Sequence, residues 1–200
     1  MAVAALLAYL LGFAAGSSRD PIRLLVLRPA LPAVWIEASR ADAPRPISWR
    51  RWQGRTTEGD ECDLGRGAIR GWSEGGDVFA HPDAYEKVCV YRSRLVAWAV
   101  YKWQSLYRVG GDDWPNFEPD SDAPTVPRQA DRLDGLHADQ WEVGCGIGDP
   151  NTLCGVWTFR ARYDEVLIVM ELRTIDVGLR FAAMRRFVQS VDRDLWAKMR

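Results

Sequence analysis

The residues with the most definite chemistry in this chain are four cysteines, Cys62, Cys89, Cys145 and Cys154. An even set of cysteines in a chain that begins with an apolar segment reads as two disulfides, the pattern of a protein that leaves the reducing cytosol. Cys145 and Cys154 bound GCGIGDPNTLCG, a glycine-rich loop between two strand-like segments whose ends must come close together. That favours Cys145 with Cys154 and leaves Cys62 with Cys89, although four cysteines admit three pairings and sequence alone does not choose among them. In the chain-entropy model each closure contributes about 2 to 4 kcal/mol. No CxxC pair occurs and the histidines are only His81 and His137, so zinc spacings are absent and no metal site is expected. A cysteine nucleophile using His137 as base needs a free thiol and a third group to orient the imidazole, and nothing in the sequence gathers them. His81 precedes Pro82 at a turn and His137 ends an acidic stretch, so both read as surface residues. The fragment GCGIGD lacks the GxGxxG spacing and opens no helix, so neither a nucleotide nor any other cofactor is expected.

The second group of chemically capable residues is aromatic and basic. Ten tryptophans in 200 residues is a high count, and each can bury about 150 to 250 Å². Trp98, Trp103, Trp141, Trp157 and Trp196 lie in periodic segments and read as core, whereas Trp49, Trp52, Trp72 and Trp114 lie in polar, irregular stretches. In SWRRWQGR, residues 48–55, Trp49 and Trp52 are interleaved with Arg50, Arg51 and Arg55, a set suited to stacking on a flat ring, holding an anion or lying at lipid headgroups. The competing reading is Arg–Trp stacking within the loop itself. A third group, Asp112, Asp113, Glu118, Asp120 and Asp122, lacks the glycine and closing glutamate of an EF-hand. Such carboxylates could serve a hydrolase, but that chemistry depends on separation in space, which sequence spacing does not report.

The elements that position these groups begin with residues 2–16, which carry no charge. Their length matches a signal-peptide core and falls short of the roughly 20 residues of a spanning helix, so residues 1–18 read as a signal peptide or a membrane anchor. Ala14, Ala15, Gly16, Ser17 and Ser18 suit a cleavage site. Against export, no Lys or Arg precedes the run, and Arg19, Arg23 and Arg28 follow it with only Asp20 to oppose them. Residues 19–200 suffice for one extracytoplasmic domain with a single core. The net charge of −1 offers no basic footprint for nucleic acid.

Within that domain, Pro21, Pro29 and Pro32 break an apolar stretch into extended pieces at 22–28 and 33–37, and the chain through Gly76 reads mostly as loop. Residues 86–92 read as a strand. Ser93 then caps a helix over 94–108, stopped by Gly110 and Gly111. A likeness of YRSRLVAWAV to FRARYDEVLIV offers a competing strand over 95–103. Residues 110–137, rich in Asp and Pro, form a long surface loop. Residues 141–145 alternate as a strand, and residues 155–173 hold two strands meeting near Tyr163 and Asp164. Phe181, Met184, Val188, Val191, Leu195 and Met199 then recur at helical spacing within 179–199. The expected fold is α+β: an antiparallel sheet with a C-terminal amphipathic helix on one face, in two layers.

The function expected from these features is that of an exported or membrane-tethered, non-enzymatic domain, binding a protein partner or ligand through an aromatic surface. The candidate surface is Trp49, Arg50, Arg51, Trp52, Trp72 and Trp114. The alternatives are an accessory subunit of a membrane complex anchored by residues 2–16, and an exported hydrolase using the acidic loop.

Overall fold

The computed structural model describes residues 17–25, 49–56, 62, 64–74, 84–103, 133–148, 151–173 and 178–200. In chain order the elements are α1 (Pro21–Leu24), β1 (Trp49–Thr56), β2 (Gly65–Glu74), β3 (Ala84–Tyr91), α2 (Arg94–Trp103), β4 (Gln140–Gly148), β5 (Cys154–Tyr163), β6 (Val166–Arg173) and α3 (Phe181–Met199). The strands form a six-stranded sheet in the order β1-β2-β3-β6-β5-β4, with every neighbouring pair antiparallel. The fold is α+β, as the strand and helix periodicities imply.

The register sorts residues between two faces, because successive side chains on a strand alternate sides. One face carries Ala68, Val88, Ile168 and Ala161 in a row, with Val90, Met170, Phe159 and Val143 beside them. It packs against Leu24 and Leu25 at the end of α1 and against Phe181, Met184, Phe187, Val188, Val191 and Leu195 of α3. The opposite face carries Cys89, Tyr91 and Leu167, and it packs against Ala97, Val100 and Tyr101 of α2. The arrangement therefore has helices on both faces, where the sequence suggested two layers. The second face was hidden by its polar residues: Thr158, Arg160, Arg162 and Glu171 look solvent-facing in sequence but are buried. Arg160 illustrates how such a group is accommodated, since its guanidinium lies 4.6 Å from the Tyr101 ring centroid and donates to the Val100 carbonyl of α2 at 3.3 Å. Burial pulls the Arg160 pKa below the usual guanidinium value, opposed by Glu142.

Other local expectations meet the structure unevenly. Ser93 caps α2 as expected, its Oγ accepting from Val96 N–H at 3.3 Å. The described helix ends at Trp103 and residues 104–108 lie outside the described set, so the competing strand over 95–103 is excluded. The extended piece expected from residue 22 is instead the single turn α1, because Pro21 pre-sets a helical φ and the Asp20 carboxylate accepts from Ile22 N–H at 3.2 Å. The piece at 33–37 lies outside the described residues. The chain up to Gly76 contains the β1–β2 pair where a loop was expected. Its glycines and arginines depress strand propensity, and pairing to β3 overrides that preference. Both disulfides form in the favoured pairing, with Cα separations of 5.6 Å for Cys62–Cys89 and 5.9 Å for Cys145–Cys154.

Candidate functional site

The two sulfur bridges brace opposite parts of the sheet. Cys62–Cys89 ties the approach to β2 onto β3, beneath α2. Cys145–Cys154 closes the β4–β5 connection, and the Cys154 backbone also exchanges two hydrogen bonds with Leu179, so the lead into α3 is fixed at the same place. Trp157 locks this corner, fully buried, with Nε1 donating to the Leu179 carbonyl at 2.7 Å.

The aromatic and basic candidates are only partly brought together. β1 pairs with β2 so that Trp49 faces Glu74 and Arg51 faces Trp72, which puts Trp49, Arg51 and Trp72 at register positions of one sheet face. Arg50 and Trp52 occupy the alternate positions. Trp114 lies outside the described residues, as do Asp112, Asp113, Glu118, Asp120, Asp122 and His81. Two tryptophans expected in the core are at the surface: Trp98 is 44 % exposed and Trp103 81 %, with Leu95 at 55 %. At 100° per residue Trp98 and Trp103 stand about 140° apart, on either side of the outward positions Leu95, Ala99 and Lys102. The inner face of α2 is Ala97, Val100 and Tyr101, so the large aromatics take the outer one. Periodicity identified the helix but did not say which of its sides turns inward.

The N-terminal approach ends beside this helix. Glu165 accepts from Ser17 Oγ at 3.1 Å and pairs with Arg19 at 3.0 Å, while Arg66 donates to the Ser17 carbonyl at 2.7 Å. The adjacent Asp164 lies 3.8 Å from Arg94, the first residue of α2. Ser17 and Arg19 are thereby held next to the first turn of α2.

On the α3 side, sequence reading passed over a polar centre. Asp192 is buried, and its carboxylate accepts from the His137 backbone N–H at 2.9 and 3.1 Å, from His137 Nδ1 at 2.7 Å and from Tyr163 Oη at 2.8 Å. A carboxylate can only accept in these contacts, so Nδ1 carries the hydrogen and Nε2 is the nitrogen left for a ligand. The imidazole stacks on Trp196, with centroids 5.1 Å apart and planes 17° from parallel. Burial, reinforced by Asp192, raises the Tyr163 pKa far above that of a free phenol, so it remains a donor. His137 and Asp192 are 55 positions apart, and only α3 lying across β5 joins them. The available signal was an aspartate, Asp192, inside the apolar stripe of the closing helix.

Among the described residues no group of three or more His, Cys, Asp or Glu side chains could hold a metal ion, and no helix is long and apolar enough to cross a membrane. Comparison with protein-family models, with curated proteins and with solved structures gives no match.

Proposed function

We propose that this chain is an exported or membrane-tethered domain that works outside the cytoplasm, does no chemistry of its own, and binds through the outer face of α2. The occupant is the headgroup region of a bilayer. The observation that carries the reading is the exposure of Trp98 and Trp103 on a helix whose opposite face is fully engaged with the sheet. Tryptophan is enriched at membrane–water interfaces, where an apolar ring with one polar edge suits both environments. Lys102 is also exposed on this helix, and Arg94 begins it. The uncharged residues 2–16 join the fold at Ser17, beside the same helix, so an anchor and an aromatic contact would act at one end of the molecule. The two disulfides support an oxidising compartment.

The test uses full-length protein with vesicles containing brominated lipid acyl chains. Tryptophan emission is expected to be quenched, and the double variant Trp98→Ser, Trp103→Ser should lose most of that quenching. Unchanged quenching in the double variant removes α2 as the contact. A second reading, a protein partner, is favoured by β1, which is a sheet edge among the described residues and carries Trp49, Arg50, Arg51 and Trp52. An added strand could pair there. Crosslinking from β1 in membranes would capture a protein under this reading and lipid alone under the first.

A further inference from the structure

The face of the sheet remote from α2 carries a second, unrelated surface. Gly135, Leu136 and His137 on one side and Arg186, Gln189, Ser190 and Arg193 of α3 on the other line an open groove of about 510 Å³. Arg186, Gln189 and Arg193 follow each other at three- and four-residue intervals, so they form a single stripe on the helix, and all three are exposed. Among the described residues neither arginine makes an ion pair. The His137 side chain is 43 % exposed, while the Asp192 carboxylate behind it is 3 % exposed. The imidazole is thus held from the protein side at Nδ1 and by the Trp196 ring, with its other nitrogen open.

We infer that this groove binds a phosphate group, with Arg186 and Arg193 supplying the positive field and His137 Nε2 the directional hydrogen bond. Two arginines seven residues apart on a helix start about 10 Å from each other along its axis. Their long side chains can converge on one tetrahedral anion or engage two linked ones. Guanidinium offers paired N–H donors that fit phosphate oxygens. The imidazole adds a response to the ligand. With Nδ1 donating to Asp192, Nε2 carries the free lone pair and accepts a hydrogen bond from a phosphate hydroxyl. No covalent step is involved. Arg185, Asp134, Asp139 and Asp194 are the other charged residues of the two segments near the groove. The carboxylates among them keep the positive field of the groove modest.

The phosphate could belong to a soluble ester or to a lipid headgroup. If α2 meets the bilayer, α3 lies on the other face of the sheet and the groove points away from the membrane, so a soluble source is expected. That choice of source rests on the proposed orientation of α2; the site itself does not.

The chain has only two histidines, which makes the imidazole proton signals a clean reporter. Full-length protein is titrated with inorganic phosphate, with chloride at matched ionic strength as control, and His81→Gln assigns the signals. The His137 resonance should shift saturably with phosphate and not with chloride. Arg186→Gln and Arg193→Gln, both at exposed positions, should each weaken the response about threefold or more. A response to vesicles of phosphatidic acid but none to free phosphate would retain the phosphate chemistry, assign it to a headgroup and contradict the orientation proposed for α2. A His137 signal that moves no more with phosphate than with chloride, or that moves as far in both arginine variants as in the parent, overturns the site.

Discussion

Replacing Asp192 by alanine tests whether the His137–Tyr163 centre is a joint of the fold. The carboxylate holds three donors at 2.7 to 2.9 Å: the backbone N–H and Nδ1 of His137, and the phenol of Tyr163. Tyr163 is 1 % exposed, so its orphaned hydroxyl would carry an unsatisfied-donor cost of about 1 to 3 kcal/mol. His137 is partly exposed and regains water, which limits its share to about 1 kcal/mol for the two lost bonds. Asp192→Ala is therefore expected to cost about 3 kcal/mol, and Tyr163→Phe about 1 to 1.5 kcal/mol, since the phenylalanine ring fills the same space. In the Tyr163→Phe background the aspartate substitution should cost about 1 to 1.5 kcal/mol less than in the parent, because one of its penalties has already been removed. The assay is urea unfolding at neutral pH with the disulfides intact, comparing midpoints at constant m-value. The His137 amide should also exchange faster in Asp192→Ala. A cost below about 1 kcal/mol, or strict additivity of the two substitutions, would refute the idea that Asp192 binds the 133–139 segment and β5 to α3.

Tyr163 also gives the centre an alkaline signature. Its folded pKa is raised, so above about pH 10 the unfolded chain releases a phenolic proton that the folded chain retains, and stability falls by up to about 1.4 kcal/mol per pH unit. The difference in slope between parent and Tyr163→Phe unfolding curves from pH 9 to 11 isolates this contribution, and identical slopes would exclude it. The two disulfides should differ modestly in worth: sequence separations of 27 and 9 give about 3.6 kcal/mol for Cys62–Cys89 and about 2.7 kcal/mol for Cys145–Cys154, measured as double Cys→Ser variants. Trp157→Ala removes a fully buried ring and should cost about 3 to 5 kcal/mol, whereas Trp103→Ala should change thermal stability by less than about 0.5 kcal/mol. Comparable losses would mean that Trp103 packs against the fold after all.

The sequence was most readable where local pattern and tertiary demand agree. Residues 154–173 are rich in the β-branched and aromatic residues of buried central strands, and α3 carries its apolar stripe at helical spacing. Ser93 announces the start of α2 with a side chain that really does cap. Legibility failed where burial is two-sided or pairing is distant. A charge in a strand usually marks the wet face, yet Arg160 and Glu171 are buried, Arg160 under α2 and beside the Tyr101 ring. The β1–β2 ladder was missed because Gly54, Gly67 and Gly71 dilute the strand signal, and the pairing that outweighs them lies in β3. The short, glycine-rich connection favoured the disulfide pairing that forms, although sequence alone left three open. His137 was not, since its meaning comes from a carboxylate supplied by another element of the sequence.

The central claim is that the folded domain is built in an oxidising compartment and held by two sulfur bridges. Thiol labelling of protein isolated from its native host, denatured without reductant, measures this directly. Cys62, Cys89, Cys145 and Cys154 should all resist the label until a reductant is added, since none is free in the fold. Labelling of all four before reduction would contradict the account.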